Sequence, residues 1–283
     1  MRTLRLLWFV PSPLAILAEN WKLSEGLTLQ AERNASSDMQ FDALASGAAD
    51  AVVTAMDNVM DWNLRMGPQD LRVVAQLEST TPLSIISRPG LNHLDDLRGA
   101  TVLVDGPSNG FIVALRAMLA EAGLGQHAYS LAPVGGVKER FDAMVSGRGD
   151  ATLLGPPFDA MAIEAGMSRL ASIQDRYPSF PGQGLVVSGR TIEQLRPVLT
   201  AWIGALDEAR IRMVRDPGTA RQVLTHFGFP APAVEVMIRT TAASLQPDPA
   251  GVALLIEQRR SAGLPGAETT YERLVDISLL PQA

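Results

Sequence analysis

The chain contains no cysteine, which excludes disulfide bonds, thiolate metal sites and thiol catalysis. It has three histidines, and none has a second histidine or a carboxylate at the spacing of a metal-binding motif. We therefore expect neither a metal ion nor another cofactor. No apolar run reaches the length of about 18 residues that a transmembrane helix requires.

Clusters of basic residues are also missing. The 30 acidic and 24 basic side chains give a net charge of −6, which disfavours nucleic acid and anionic membrane surfaces as partners. Apolar residues make up 47% of the chain and charged residues 19%, a composition typical of a compact fold that excludes a disordered chain. A chain of 283 residues is long enough for one large domain or two smaller ones.

One pattern of eleven residues occurs twice, one hundred residues apart. Residues 41–51 read FDALASGAADA and residues 141–151 read FDAMVSGRGDA, with seven identical positions. Each copy predicts a helix that ends at a glycine and is followed by an apolar strand. Chance similarity between short fragments is the alternative, but the matching order of helix and strand favours a real repeat. The repeat predicts two α/β lobes, each of which delivers a loop to a shared cleft.

Strand and helix candidates alternate through most of the chain, which is typical of mostly parallel sheets covered by helices. The pattern changes near residues 80–90 and 178–188, where we expect the chain to cross between lobes, and it becomes almost wholly helical afterwards. This order predicts a discontinuous lobe one, made of residues 1–84 and 186–283, and a lobe two made of residues 85–185. Two connecting segments form a natural hinge.

The first ten residues superficially resemble the basic and apolar regions of a signal peptide. Pro11 and Pro13 interrupt the apolar run, and residues 4–10 also read as the first core strand. We therefore take Met1 as the start of the folded domain. The protein is expected to be cytoplasmic if Met1 is its natural start, and periplasmic if an upstream leader has been removed.

The order of elements resembles that of type II periplasmic-binding proteins over residues 4–188. It includes EGL at 25–27, a serine pair before the first repeat helix, LRGATV at 97–102 and the Pro156-Pro157 turn. Within that group the chain is similar to the sulfonate, nitrate, taurine and pyrimidine-precursor binding proteins of ABC transporters. The resemblance implies a two-lobed fold with an interlobe cleft and C-terminal helices packed on lobe one. It also implies a small-molecule ligand and, if the protein is secreted, a membrane permease as partner.

Four loops are expected to converge on the cleft, each at a helix N-terminus that favours an anion or a polar carbonyl. For the serines, helix capping is the alternative, and Asp57 could bind a ligand amine or hydroxyl, act as a general base or cap a helix. Phe158 either stacks on an aromatic ligand or belongs to the core. The predicted ligand-binding residues are Ser12, Ser36, Ser37, Asp57, Asn58, Ser108, Asn109, Gly110, Pro156 and Phe158.

The expected function is therefore binding of a small organic ligand, anionic or aromatic/heterocyclic, by an ABC-transporter-type substrate-binding protein. In that case closure of the lobes around the ligand is the functional result, and no bond is made or broken. The alternative is a cytoplasmic enzyme on the same fold, a decarboxylase or lyase acting on a small carboxylate or aromatic substrate. In that case Asp57 would be the catalytic residue, with backbone N–H groups stabilising an enolate. The chain lacks the cysteine-rich motif of the pyrimidine synthases on this fold, which counts against that activity.

Overall fold

The computed structural model describes residues 2–65, 70–109 and 111–281. The strands in these residues are β1 (Arg2–Trp8), β2 (Leu27–Arg33), β3 (Ala51–Ala55), β4 (Leu71–Gln76), β5 (Ser84–Ser87), β6 (Thr101–Val104), β7 (Ser130–Pro133), β8 (Ala151–Leu154), β9 (Ser168–Ser172) and β10 (Gln183–Ser188). The helices are α1 (Pro13–Asn20), α2 (Ser37–Ser46), α3 (Asn58–Trp62), α4 (Ile112–Glu121), α5 (Val137–Val145), α6 (Phe158–Glu164), α7 (Ile173–Arg176), α8 (Gly189–Arg215), α9 (Pro217–Phe227), α10 (Ala231–Arg239), α11 (Pro249–Ser261) and α12 (Tyr271–Leu274). A 3-10 turn spans Leu94–Leu97.

The strands form two five-stranded sheets with the same arrangement. The first has the order β2-β1-β3-β10-β4 and the second the order β7-β6-β8-β5-β9. In each sheet the fourth strand, β10 or β5, runs antiparallel to both its neighbours, and the pairs β1–β2, β1–β3, β6–β7 and β6–β8 are parallel. The antiparallel strand is the one that the chain enters directly after changing sheets. This architecture confirms the predicted α/β class with two lobes, which we name lobe one and lobe two after their sheets.

The changes of sheet fall close to the predicted crossings. Strand β5 begins at Ser84 and pairs in the second sheet, while β10 begins at Gln183 and pairs in the first. The proposed domain boundaries after residues 84 and 185 stay a prediction.

The sequence repeat forms the same unit in both lobes. Helix α2 ends at Gly47 and α5 ends just before Gly147, with φ angles of 75° and 78° that suit glycine. The carboxylate of Asp50 accepts a hydrogen bond from the N–H of Arg5 at 2.8 Å, and that of Asp150 accepts one from the N–H of Thr101 at 2.7 Å. The repeated aspartate therefore ties the start of β3 or β8 to the neighbouring parallel strand.

The C-terminal helices pack on lobe one and also reach lobe two. Helices α8 and α9 pack against α1 over an apolar core that includes the fully buried Leu199 and Ile203. Helix α11 lies against α4 of lobe two, and the Gln126 side chain donates to the carbonyl of Ala262 at 2.9 Å. Helix α12 ends at Leu274, and the next residue, Val275, forms a parallel bridge with Val73 of β4.

Within the described ranges, no helix combines the length and the hydropathy that crossing a membrane would demand.

Candidate ligand-binding cleft

A chamber lies between the two lobes at the ends of their strands. It contains about 580 Å³ of space that no protein atom occupies, part of it open to solvent. Lobe one, lobe two and both crossings contribute to its wall. Its lining residues are Phe9, Val10, Thr54, Ala55, Asn58, Thr81, Leu83, Asp105, Phe111, Gly136, Val137, Arg140, Leu153, Gly155, Pro156 and Gln183.

Two phenylalanine rings supply flat apolar surface to this interlobe chamber. Phe9 lies against Gly136, where an added Cβ would come within 2.6 Å of the ring atom Cδ1. Only glycine permits that approach. Phe111 has a φ of 63°, unusual for a residue with a side chain, and its ring packs on Phe180 at a centroid distance of 5.6 Å. The chamber can therefore hold a flat apolar group.

A cation and an acid face the chamber from lobe two. Arg140 is 8% exposed, and its guanidinium donates to the carbonyls of Gly135 at 2.8 Å and Leu153 at 3.2 Å. Burial lowers the pKa of Arg140, and the nearby carboxylates oppose this shift. Burial raises the pKa of Asp105 to about 6, although Arg140 and the N–H of Ser37 favour its ionised form. The chamber thus holds both signs of charge without a large excess of either.

Polar contacts join the two lobes across the chamber. The N–H of Ser37 at the first turn of α2 donates to Asp105 Oδ2 at 3.1 Å, and the Ser37 hydroxyl donates to the same carboxylate. The N–H of Gly136 donates to the carbonyl of Ala35 at 2.6 Å, and Arg33 pairs with Glu139 at 2.8 Å. The lobes are therefore held in a closed arrangement.

A second set of interlobe contacts lies outside the chamber. The Asn109 amide donates to Asp38 Oδ1 at 3.0 Å, and Arg65 donates to Asn109 Oδ1 at 3.3 Å while it pairs with Asp38 at 2.8 Å. Asn109 itself is 3% exposed. This network fastens the loop before α4 to the N-terminal end of α2.

Arg259 of α11 is fully buried and contacts both lobes. Its Nη1 atom lies 3.1 Å from Asp57 Oδ2 and donates to the carbonyl of Ser108 at 3.0 Å. Asp57 is also fully buried, and burial raises its pKa while Arg259 opposes that shift. A buried pair of this kind is costly to break, because either partner alone would be an uncompensated charge.

The predicted site residues fall in different surroundings. Asn58 and Pro156 line the interlobe chamber, and the Asn58 amide donates to Thr54 Oγ1 at 2.8 Å. Ser12 lines a neighbouring chamber. Ser36 accepts from the N–H of Met39 and so caps α2.

Five other predicted residues, all among those that the structure describes, do not line the interlobe chamber. Ser37 contacts the chamber residue Asp105, and Asp57, Ser108 and Asn109 take part in the contacts described above. Phe158 packs on Phe141 with ring centroids 5.4 Å apart. Gly110 lies outside the described residues. The binding roles assigned to this set, and the role of Asp57 as a general base, stay predictions.

Sequence reasoning did not select Phe9, Asp105 or Arg140 as site residues. Phe9 directly follows β1 and Asp105 directly follows β6, which are equivalent strands in the two sheets. Extending the repeat back to those first strands would have indicated both positions. Arg140 lies on the second repeat helix, one residue before the repeat motif begins, where the sequence favours a solvated face and leaves pairing with a carboxylate near the cleft as the alternative.

Over residues 2–65, 70–109 and 111–281, no group of three or more His, Asp or Glu side chains is arranged to hold a metal ion.

The paired sheets, the two crossings and the chamber between the lobes define a periplasmic-binding-protein fold. The family model described as NMT1/THI5-like matches residues 19–220, and the chain belongs to that family. This confirms the resemblance that the sequence motifs indicate. No curated protein matches the chain in sequence.

Several solved structures share the fold over nearly the whole chain. The ligand-binding component of an ABC-type import system from Staphylococcus aureus, with zinc bound, is 18% identical with a TM-score of 0.78, covering 99% of this chain and 98% of its own. The alkanesulfonate-binding protein of Xanthomonas axonopodis pv. citri, bound to MOPS, is 19% identical with a TM-score of 0.75 and coverages of 100% and 99%. The periplasmic nitrate-binding protein of Synechocystis PCC 6803 is 14% identical with a TM-score of 0.77 and coverages of 99% and 87%.

Proposed function

We propose that the protein binds a small organic molecule between its lobes and acts as the substrate-binding component of an ABC-type importer. The observation that carries the proposal is the interlobe chamber, whose wall combines flat apolar surface, amide and hydroxyl groups and the buried Arg140. Ligand pockets generally combine a mostly apolar lining with a few well-placed polar groups. Closure of the lobes around the ligand is the output of binding.

The chemistry of the chamber favours an aromatic or heterocyclic ligand over a simple anion. Phe9 and Phe111 offer ring surface, and Thr54, Asn58 and Gln183 can bond to ring heteroatoms and substituents. Asp105 offsets the charge of Arg140 and occupies the N–H of Ser37 at the start of α2. An anionic ligand would have to displace this carboxylate before it could use that helix terminus.

The structural neighbours support the proposed transport role. One is described as the ligand-binding component of an ABC-type import system, one as a periplasmic nitrate-binding protein and one as an alkanesulfonate-binding protein. By analogy, the partner of this protein is a membrane permease that accepts the closed, loaded form. The two-domain division with its hinge at the crossings is part of this proposal. No observation favours the enzyme alternative, for which Asp57 would be a fully buried base paired with Arg259.

Native mass spectrometry of protein purified without denaturation tests the proposed function. The wild type is expected to retain a small molecule, and Phe9→Ala is expected to lose most of it. Removing the ring surface should cost about 1.5 kcal/mol, or roughly tenfold in affinity.

Phe227→Ala is the matched control, because Phe227 is 53% exposed on α9 and is absent from the lining of the interlobe chamber and of its neighbour. Equal retention by Phe9→Ala and Phe227→Ala would contradict binding in the interlobe chamber. A wild type that retains no small molecule from any cell extract would contradict the binding function itself.

A further inference from the structure

A second chamber adjoins the interlobe chamber on the side of lobe one. It lies between the loop that follows β1, the crossing after β4, and the helices α8 and α10, and contains about 650 Å³ of unoccupied space, partly open to solvent. Val10, Thr81, Pro156 and Gln183 line both chambers and so form the boundary between them. We call this space the side chamber.

Most of the side chamber is apolar. Leu77, Met213 and Met237 contribute buried surface, and Val236 of α10 is partly exposed at the wall. Methionine side chains are flexible and polarizable, so they adapt to aliphatic and thioether groups of varied shape. Helix α10 is tied to the crossing because the N–H of Ser79 donates to the carbonyl of Thr240 at 2.8 Å, which keeps this wall in place.

Ser12 and Glu78 stand out among the polar residues of the wall, which also include Thr81, Gln183, Thr240 and Thr241. Ser12 is 5% exposed, and its hydroxyl oxygen has no hydrogen-bond partner among the described residues even though Ser12 is the N-cap of α1. A buried hydroxyl without a partner is unfavourable, so such a group points to a ligand or a water that completes it. Glu78 accepts on Oε1 from the Thr81 hydroxyl and from the backbone and side-chain N–H groups of Gln183 at 3.3 and 3.4 Å.

We propose that the side chamber is a second compartment of the cleft, which receives a short aliphatic or thioether arm of the ligand ending in an uncharged or cationic hydrogen-bonding group. The inference rests on the proposed function, because it assigns the shape and charge of the same ligand. The flat part of the ligand lies between the lobes, its arm passes the shared boundary, and the end of the arm bonds to Ser12.

The charges of the side chamber disfavour an anionic arm. A helix N-terminus carries roughly half a positive charge, whereas the ionised carboxylate of Glu78 carries a full negative charge. Burial raises the pKa of Glu78, whereas the Thr81 hydroxyl and the two N–H groups of Gln183, which converge on one of its oxygens, lower that pKa and favour the ionised carboxylate. A hydroxyl or ammonium group is therefore accepted in this chamber and a carboxylate is rejected.

Methyl NMR tests the side chamber with defined probes. The chain has 11 methionines, and the ε-methyl signals of Met213 and Met237 report on the chamber wall. We expect 1-butanol and n-butylammonium to shift both signals in a saturable way, and the equally long butanoate to leave them unchanged. Met118 of α4 in lobe two serves as a reporter that should not respond.

Filling the chamber provides the second arm of the test. Val236→Trp should abolish the shifts caused by 1-butanol, and Ala231→Trp at an exposed position of the same helix should leave them intact. Absence of saturable shifts with every probe would overturn the proposal and assign the space to solvent, and an equal response to butanoate would overturn the assigned charge.

A further comparison separates this inference from the proposed function. Val236→Trp should reduce retention of the copurified molecule at least tenfold, and Phe9→Leu should leave the butanol-induced shifts unchanged. If Val236→Trp retains the natural ligand fully, the side-chamber proposal fails while binding between the lobes still holds.

Discussion

At the scale of single residues, the contact between Gly136 and Phe9 decides how closely the lobes approach. Gly136 belongs to lobe two and Phe9 to lobe one, and the N–H of Gly136 also donates to Ala35 across the cleft. A methyl group at position 136 would lie 2.6 Å from Phe9 Cδ1, closer than real Cβ contacts allow. The missing side chain is therefore a requirement of closure rather than of the fold of lobe two.

Gly136→Ala is expected to hinder closure and to lower ligand retention at least tenfold, because the new methyl group must displace the Phe9 ring. Thermal stability should change little, since the contact lies between the lobes. Gly125→Ala is the control, as no atom lies within 4 Å of its added Cβ. The measurement is small-angle scattering together with native mass spectrometry. A Gly136→Ala protein as compact and as loaded as the wild type would refute this explanation.

At the scale of secondary-structure elements, the repeated helix-strand unit is stabilised by its last aspartate. Asp50 and Asp150 each accept a backbone N–H from the adjacent parallel strand, and each also pairs with an arginine, Arg5 at 2.6 Å or Arg88 at 2.7 Å. The N–H of Thr101, followed by Arg88, lowers the pKa of Asp150 below its ordinary range. Asp150 thus stabilises lobe two at neutral pH, and this contribution is lost as the pH falls below about 4.

Asp50→Ala and Asp150→Ala should each lower the free energy of unfolding by about 2 kcal/mol, because each change leaves a strand N–H without its charged partner. Urea denaturation measures the effect. Asp42→Ala is the control within the same repeat, since that side chain is exposed and its loss should cost less than about 0.5 kcal/mol. Equal free energies of unfolding for Asp42→Ala and Asp50→Ala would show that the last aspartate does not stabilise the repeated unit.

At the scale of the whole molecule, the contact between the lobes holds the Asp105 carboxylate out of water and against the start of α2. Burial raises its pKa to about 6, while Arg140 and Ser37 lower it and the carboxylates of Asp38 and Glu139 raise it. In an open cleft the same group would titrate nearer its ordinary value of 3.8. Because the closed state has the higher pKa, it binds the proton more tightly. Protonation of Asp105 therefore stabilises the closed state relative to the open state. This stabilisation is complete below about pH 4 and is lost as the pH rises through about 6.

The ligand-free protein should therefore be more closed at pH 5 than at pH 7.5. The radius of gyration from small-angle scattering should increase across this interval. Asp105→Asn should remove most of the change, because the amide can still accept from Ser37 but does not titrate. If Asp105→Asn keeps the full pH response, Asp105 does not control closure.

The predictions from sequence succeeded where local pattern and short-range chemistry decide the structure. The repeat, the alternation of strands and helices and the glycine at the end of α2 were all readable, since hydrophobic period and glycine conformation depend on neighbouring residues. The family resemblance followed from the same order of motifs, and the matching family model confirms it.

Only the tertiary structure decided which polar side chains meet and which of them face the cleft. Asp57 follows a repeat strand as expected, but it pairs with Arg259, 202 residues later, while Asp105 crosses to Ser37, 68 residues earlier. Such pairings depend on how the lobes and the C-terminal helices pack, and the periodicity of a single sequence does not predict them. The sequence by itself determined the two α/β units, and packing determined the chamber, because a cleft is formed by residues that are distant along the chain.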